Sequence, residues 1–360
     1  MFRPVPRASG YFRTGYGQDL ALVQTRAERI GLAIFVVILA GFPFVASAFA
    51  LDLACQVFLA SVGALSLMLL TGYAGQISLG HAGLIAAGAF TTGILAREIH
   101  APFWITLPAS AVTGIVLGFV FGLPSLRLRG LYLAVSTLAL HFVVIYLGGE
   151  YETKRGFSTG ILVEPPSLAG FKLSGGRFWY FVLLAAAALS LLICINLLRS
   201  RSGRAFRAVH ARETVAEALG ISIAGTKLLA FVISSAMTSV AGCLFAYYRG
   251  FVSVEAFDLF LSIQYVAMII IGGMGSLLGA ILGATFVTLF PYAIEAIVQM
   301  LPGARAYAGQ LFAVNYAAFG LVMILFLVFE PQGLVGVWRR LQTYFLLWPF
   351  KHKPVAGGRK

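Results

Sequence analysis

The sequence predicts an all-α, polytopic transmembrane bundle of about ten segments, two of them short and broken by glycine. Three observations carry that prediction. Of 360 residues, 60% are hydrophobic and only 11% charged, whereas a soluble domain carries about 25% charged residues. The mean hydropathy is +0.92, so most of the chain is unsuited to face water. Apolar runs of span length recur along the chain, with basic residues concentrated in their flanks.

The runs are 30–50, 53–70, 82–96, 103–123, 130–148, 178–198, 228–248, 259–272, 277–298 and 310–329. An unbroken transmembrane helix needs about 20 residues. Segments 82–96 and 259–272 fall short and each adjoins a Gly-rich stretch, so both read as parts of discontinuous or re-entrant helices. The motif "VASAFA" at 45–50 has an A-x-A-like pattern. The run from Ile30 is nevertheless longer than the ~7–15-residue core of a signal peptide, so it is expected to stay as a span.

Three parts follow: a basic N-terminal arm (1–29), a transmembrane body (30–329) containing a basic loop (199–227), and a C-terminal tail (330–360). Threading ten segments from an inside N-terminus places nineteen of the 26 Lys and Arg residues on the cytoplasmic side, in the arm, the loop, the tail and the turn holding Arg127 and Arg129. The other seven fall outside, among Asp52, Glu98, Glu150, Glu152, Glu164, Glu255 and Asp258. Both termini are therefore expected in the cytoplasm. The net charge of +13 reads as membrane topology with attraction to anionic lipid, not as a nucleic-acid surface. Cys55, Cys194 and Cys243 each lie in apolar stretches without metal-ligand spacing, so they read as buried small hydrophobes, and no metal site is expected.

The stretch "LTGYAGQISLGHAGLIAAGAF" from Leu70 places Gly72, Gly75, Gln76, Ser78 and His81 in apolar surroundings. Irregular backbone at membrane depth survives only under protein or beside a water-filled cavity. Gln76, Ser78 and His81 are available to bond freed backbone groups. A counterpart, "IIGGMGSLLGAILGA" at 270–284, carries Gly272, Gly273 and Gly275. Paired glycine-interrupted segments in two halves of a chain point to a translocation pathway; the alternative is small-residue packing alone. The GxxxG pairs Gly114/Gly118, Gly118/Gly122 and Gly279/Gly283 read as helix-packing contacts. Among ionisable residues within spans, His141 reads as a packing residue, and Glu295 lies near a span end within reach of water.

The loop "LRSRSGRAFRAVHARETVAEALGISIAGTKLLAF" (198–231) has a helical pattern. Arg204, Arg207, Arg212, Glu213 and Glu217 alternate with Ala205, Val209, Val215, Ala218 and Leu219. Thr214 and Glu217 have capping-box spacing, and Gly220 marks a helix stop. Such a helix lies on anionic lipid, serves as a connector, or docks a cytoplasmic partner.

Five blocks in order, "GYAGQISLGHAG", "LRLRGLYLAVSTLAL", "GRAFRAVHARETVAEALGI", "IGGMGSLLGAILGA" and "EPQGLVGVW", resemble the permease subunit of branched-chain amino acid ABC importers of the LivM type, over about residues 30–340. The resemblance implies a type II-like importer permease fold and a bacterial inner-membrane location. It also implies a second, LivH-like permease, two cytoplasmic ATPase subunits and a periplasmic solute-binding protein. Glu217, Ala218 and Gly220 would then sit at the coupling helix that seats in the ATPase. Leu131 stands where the family often has an acidic residue, and "KRGFSTGI" replaces its usual outer-loop text; these departures leave the solute open among branched-chain amino acids, urea, short amides, and aromatic or dicarboxylic substrates.

The chain has no G-x-x-x-x-G-K-[ST], so ATP is expected on partner subunits and no cofactor on this chain. It lacks HExxH and G-x-S-x-G, which argues against an enzyme. A stand-alone secondary carrier would call for a midplane coupling carboxylate, and none is present, although a passive facilitator stays compatible with the sequence.

Overall fold

A computed structural model describes residues 26–300 and 311–347, apart from 127, 129, 158–159, 169–170 and 173–174. Most of the arm, with Arg3, Arg7 and Arg13, lies outside the described residues, as do Arg127, Arg129, Arg305 and the tail beyond 347.

The helices are α1 (Arg26–Val45), α2 (Ala48–Leu67, continued by a π-helical turn Met68–Tyr73), α3 (His81–Glu98), α4 (Phe103–Ser125), α5 (Leu131–Arg155), α6 (Gly176–Arg199), α7 (Arg201–Ala211), α8 (Glu213–Ala218), α9 (Ile223–Arg249), α10 (Leu259–Gly272), α11 (Leu277–Gln299), α12 (Leu311–Phe329) and α13 (Gly333–Leu347). Nine of the expected segments each fall on one helix. Among the described residues, seven helices are long and apolar enough to cross a membrane, or eight if α12 and α13, bent by 51° at their junction, form one span. Two expectations change. The run 30–50 breaks between Val45 and Ala48, and its first part, Arg29–Val45, is shorter than a span. A 3-10 turn at Val254–Phe257 leads into α10, and together they give a 19-residue segment, Val254–Gly272, apolar enough on average to cross. That segment therefore reaches span length instead of falling short.

Contacts between helix ends define two ends of the bundle. At one, Glu98 accepts from Tyr151 (2.7 Å) and pairs with Arg155 (2.9 Å), Tyr248 donates to Asp52, and Tyr292 donates to Gln56. Two short strands, β1 (Ile161–Leu162) and β4 (Phe251–Val252), pair antiparallel beside them. Strands β2 (Ser167–Leu168) and β3 (Phe171–Lys172) form a second small pair in the same loop. The opposite end holds α7 and α8, the start of α9, both glycine breaks and α13. The acidic residues singled out above cluster at the first end and the loop arginines at the second, which is the charge separation expected from the flanks.

Lipid tails are as apolar as leucine, so burial alone does not hold membrane helices together; close backbone approach and interhelical hydrogen bonds do. Helix α9 is the central strut and packs on α2, α3 and α4. Its contact with α3 is backbone to backbone: a Cβ added at Gly242 would lie 1.9 Å from the Ile85 carbonyl oxygen, and one at Gly88 would lie 1.9 Å from that of Ser239. The Ser239 hydroxyl donates to the Leu84 carbonyl at 3.0 Å. The first GxxxG row does what its spacing predicts, because Cβ atoms at Gly114 and Gly118 would meet Ser235 and Ser239 of α9 within 2.9 Å. Gly279 and Gly283 likewise press α11 onto α10, with Gly283 against the Met268 carbonyl. His141 is buried with its Cα against Gly83, as a packing residue would be, while Glu295 is exposed and bonds Gln299. The three cysteines are buried and free.

Gly242→Val forces a branched side chain against backbone that has nowhere to move. Overpacking costs about 1–3 kcal/mol where a core yields, and more is expected here. In detergent the variant should lose its monodisperse peak or melt well below the parent, whereas Gly320→Ala, with open space at its Cβ position, should melt with it.

Candidate functional site

The π-helical turn at 68–73 ends α2 by loosening its hydrogen bonding, and the chain then runs irregularly from Ala74 to Gly80 before α3 starts inside the bundle. Each freed backbone group there needs a partner. Gln76 N–H donates to the Leu70 carbonyl (3.1 Å), and the Thr71 hydroxyl donates to the Gln76 carbonyl (2.9 Å). The Gln76 amide reaches across to the Lys227 carbonyl at the start of α9 (2.9 Å). Leu79 N–H donates to the Thr137 hydroxyl, and Ala82 N–H to the Ser262 hydroxyl, both at 2.9 Å.

His81, fully buried in the first turn of α3, donates from Nε2 to the Gly63 carbonyl at 2.9 Å and lies 3.3 Å from the Ser66 hydroxyl. Ser66 contacts Thr238 at 2.8 Å, and Ser234 donates to the Ser66 carbonyl at 2.8 Å. The ring of Tyr265 stands 5.0 Å from that of His81. One polar knot thus ties α2, α3, α9 and α10 together beneath the break. Of the three side chains expected to bond freed backbone, Gln76 and His81 instead bond carbonyls within neighbouring helices, those of Lys227 in α9 and Gly63 in α2. The buried Ser78 hydroxyl has no hydrogen-bond partner. Thr71, Thr137 and Ser262 bond the groups of the break itself. Nothing near the break marks Thr137 and Ser262, which lie 58 and 180 residues from their partners.

The second break meets the first. A Cβ at Gly72 would lie 3.0 Å from the Gly275 nitrogen, and Gly275 N–H points at the Met68 sulfur at 3.3 Å. Gly273 (φ +113°) and Gly275 (φ +79°) hold left-handed backbone that lets the chain reverse between α10 and α11. Gly272 packs on the Gly279 carbonyl. Helix α13 closes the break from outside: the Gln332 carbonyl abuts Gly273, Gly333 (φ +64°) abuts the Ile271 carbonyl, and Arg340 pairs with Glu330 at 2.9 Å.

Against the first break sits the basic loop. The sequence pattern reads as one helix; the structure divides it at Arg212, whose extended backbone (φ −159°, ψ 112°) separates α7 from α8 as an elbow. The expected capping box does not form. Arg212 stands at the N-cap of α8 without a side-chain cap, so Thr214 is already inside the helix. Gly203, Phe206 and Val209 bury the inner face of α7, and His210 lies over Gly75. Arg207 braces the joint by donating to the Leu198 carbonyl at 2.6 Å, and Arg204 donates to the Arg199 carbonyl at 3.1 Å. Glu213 pairs with Lys227 at 2.6 Å, so α8 is tied to the start of α9. Gly220 (φ +81°) ends α8 as its spacing predicts. The outer face stays open, with Glu217, Ala218 and Gly220 exposed and Val215 and Leu219 at 50% and 75% exposure. A groove of about 540 Å³ runs between Leu126, Glu217 and Gly220–Ala224.

The residues expected to line a pathway or to couple to a partner therefore gather at one end, in three touching pieces: two glycine breaks and an elbow. Among the described residues there is no cluster of three or more His, Cys, Asp or Glu side chains able to hold a metal. Sequence reasoning passed over the α13 seat on Gly273 and a cavity at the opposite end of the bundle.

A multi-pass helical bundle, broken twice by glycine where a basic elbow packs, defines a membrane transport subunit. The family described as "Branched-chain amino acid transport system / permease component" matches residues 49–328, and the chain belongs to it. It is 31% identical over 339 residues to the high-affinity branched-chain amino acid transport system permease proteins LivM of Salmonella typhimurium and Escherichia coli, covering 88% of this chain and 76% of each relative. It is 30% identical over 197 residues to the autoinducer 2 import system permease protein LsrC of an Enterobacter species, covering 51% of this chain and 54% of that one. No solved structure matches.

Gly75→Ala should destabilise the elbow joint in two separable ways. The left-handed backbone (φ +72°) costs about 1–2 kcal/mol for a side-chain-bearing residue, and the new Cβ would lie 2.6 Å from the His210 ring. Adding His210→Ala should recover the steric part of the lost melting temperature and leave the backbone part.

Proposed function

We propose that this chain is the permease subunit of an ATP-driven importer of branched-chain amino acids in a bacterial inner membrane. It works with a second, LivH-like permease, two cytoplasmic ATPase subunits that bind the nucleotide, and a periplasmic solute-binding protein. The arginine-rich end faces the cytoplasm, in keeping with the positive-inside rule, so both chain termini lie there. The chain itself is not an enzyme and carries no cofactor.

One observation carries this reading: the elbow is rigid toward the membrane and open toward solvent. Its inner face is pinned to the first break through His210 over Gly75 and to α9 through Lys227–Glu213. Its outer face offers Val215, Leu219 and Glu217 beside a groove. A push on α8 therefore passes into the segments where the two breaks touch, with no flexible linker to absorb it. Arg204, Arg212 and Glu217 supply the charged rim around an apolar contact, as at other protein interfaces. The relatives that cover 88% of the chain are named for branched-chain amino acids, which favours that solute over urea or short amides. A carrier acting alone has no use for an exposed apolar elbow at the solvent edge.

Leu219→Asp combined with Glu217→Arg should leave the melting temperature of the chain within error, because both side chains are exposed. The same pair should reduce co-purification of ATPase subunits and lower ATP-dependent leucine uptake in proteoliposomes at least tenfold. Undiminished uptake in that variant, or uphill uptake by vesicles holding only this polypeptide, defeats the reading.

A further inference from the structure

The elbow and the glycine breaks occupy one end of the bundle. At the other end a cavity of about 310 Å³ opens among α2, α3, α9, α10 and α11. Gln56 lies sixteen residues before Gly72 on α2, and Arg249 lies twenty-two residues after Lys227 on α9, so these two lining residues stand roughly 24–33 Å from the first break, whereas Tyr265, whose ring lies 5.0 Å from that of His81, and Met268 carry the lining down to the knot. Its size is at the small end of the ~300–1,000 Å³ range of small-molecule sites.

The lining mixes two kinds of side chain. Leu59, Phe245, Phe257, Leu261, Met268 and Val287 are aliphatic or aromatic, and Gln56, Tyr248, Arg249, Gln264, Thr288 and Tyr292 carry polar groups. Asp52 stands directly behind Gln56. It accepts from the Gln56 amide at 2.7 Å and from the Tyr248 hydroxyl, which hold its carboxylate in place. Gln56 Oε1 accepts from Tyr292 at 3.2 Å and keeps a second acceptor lone pair. Arg249 is different. Its guanidinium lies 5.9 Å from the centre of the Tyr248 ring, and among the described residues no carboxylate pairs with it.

We infer that this cavity is a solute subsite for an aliphatic α-amino acid, an inference that rests on the importer reading and names its substrate class. Arg249 takes the α-carboxylate, for which its planar fork is suited. The carbonyl oxygens of Gln56 and Gln264 accept from the ammonium, with the field of Asp52 behind them. The apolar side chains of the lining take the branched side chain. Two other solute classes fit less well. Urea and short amides carry no charge to match Arg249 and leave Leu59, Leu261 and Met268 uncovered. A dicarboxylate needs a second cation, and the lining holds one.

The test is direct binding of radiolabelled leucine to the full chain purified in mild detergent with whatever subunits accompany it, without nucleotide and without binding protein. Saturable binding is expected, displaced by isoleucine and valine but not by urea, acetamide or isovalerate. Arg249→Gln should weaken it at least tenfold and Arg249→Lys should restore part of the loss. Leu261→Trp, which fills the cavity, should weaken it by a similar factor. Each variant is to be read only on a monodisperse peak with the parental melting temperature. Absence of saturable leucine binding, or undiminished binding in both Arg249→Gln and Leu261→Trp, or equal displacement by urea, overturns the inference. Whether ATPase subunits accompany the parent chain is scored on the same preparation and bears on the importer reading alone.

Discussion

An α-helix that starts inside a membrane protein leaves backbone donors with no water to bond, and the rest of this structure follows from how those donors are satisfied. The chain enters on α2, loosens through a π-helical turn and restarts at His81 within the bundle. The groups this exposes are paired with Thr71, Thr137 and Ser262, drawn from three different elements, and the Gln76 amide ties the break to the Lys227 carbonyl of α9. Below them His81, Ser66, Ser234 and Thr238 form the knot that locks α2, α3, α9 and α10 in one register. Because each polar group has its partner on a different helix, removing one contact leaves another group unpaired in an apolar interior, where the cost is about 1–3 kcal/mol. Glycine completes the arrangement: α3 and α9 approach with backbone against backbone at Gly88 and Gly242, a distance no side chain permits.

The same constraint organises movement. Helical parts are stiff along their axes, and the two breaks, in contact at Gly72 and Gly275, are where that stiffness is interrupted. The elbow of α7 and α8 rests on one break and α13 on the other, so both pieces outside the spans bear on the same junction. The cavity runs between α2, α3, α9, α10 and α11, from Gln56 and Arg249 down to Tyr265 and Met268. Under the importer proposal, a displacement at the junction would pass to this cavity through those helices, because close-packed interiors transmit strain.

Much of this is legible in the residues. Nine of the ten apolar runs each fall on one helix, the GxxxG pairs pack helices, and Gly220 ends α8 with positive φ. Those features are local: a span, a spacing of four, a residue without a side chain. The misses have a common cause. Thr214 and Glu217 have the spacing of a capping box, yet Arg212 takes the N-cap position because the chain bends there to bring Glu213 to Lys227. Ser78 has the right chemistry to bond freed backbone but faces no acceptor, while Thr137, 58 residues away from its partner Leu79, does the bonding. The segment beginning at Leu259 looks short because Glu255 interrupts the hydropathy, although its 3-10 turn carries the apolar stretch onward.

The amino-acid sequence alone determined that this chain lies in a membrane, how its charges sort between two ends, and where its helices break, because hydropathy, charge and glycine act through neighbours along the chain. Only the tertiary structure decided that the two breaks touch, that the basic loop is an elbow leaning on Gly75, and that Arg249 faces a half-apolar cavity beside Asp52. Those are pairings between residues up to about two hundred positions apart, and packing in three dimensions, not spacing along the chain, selects among them.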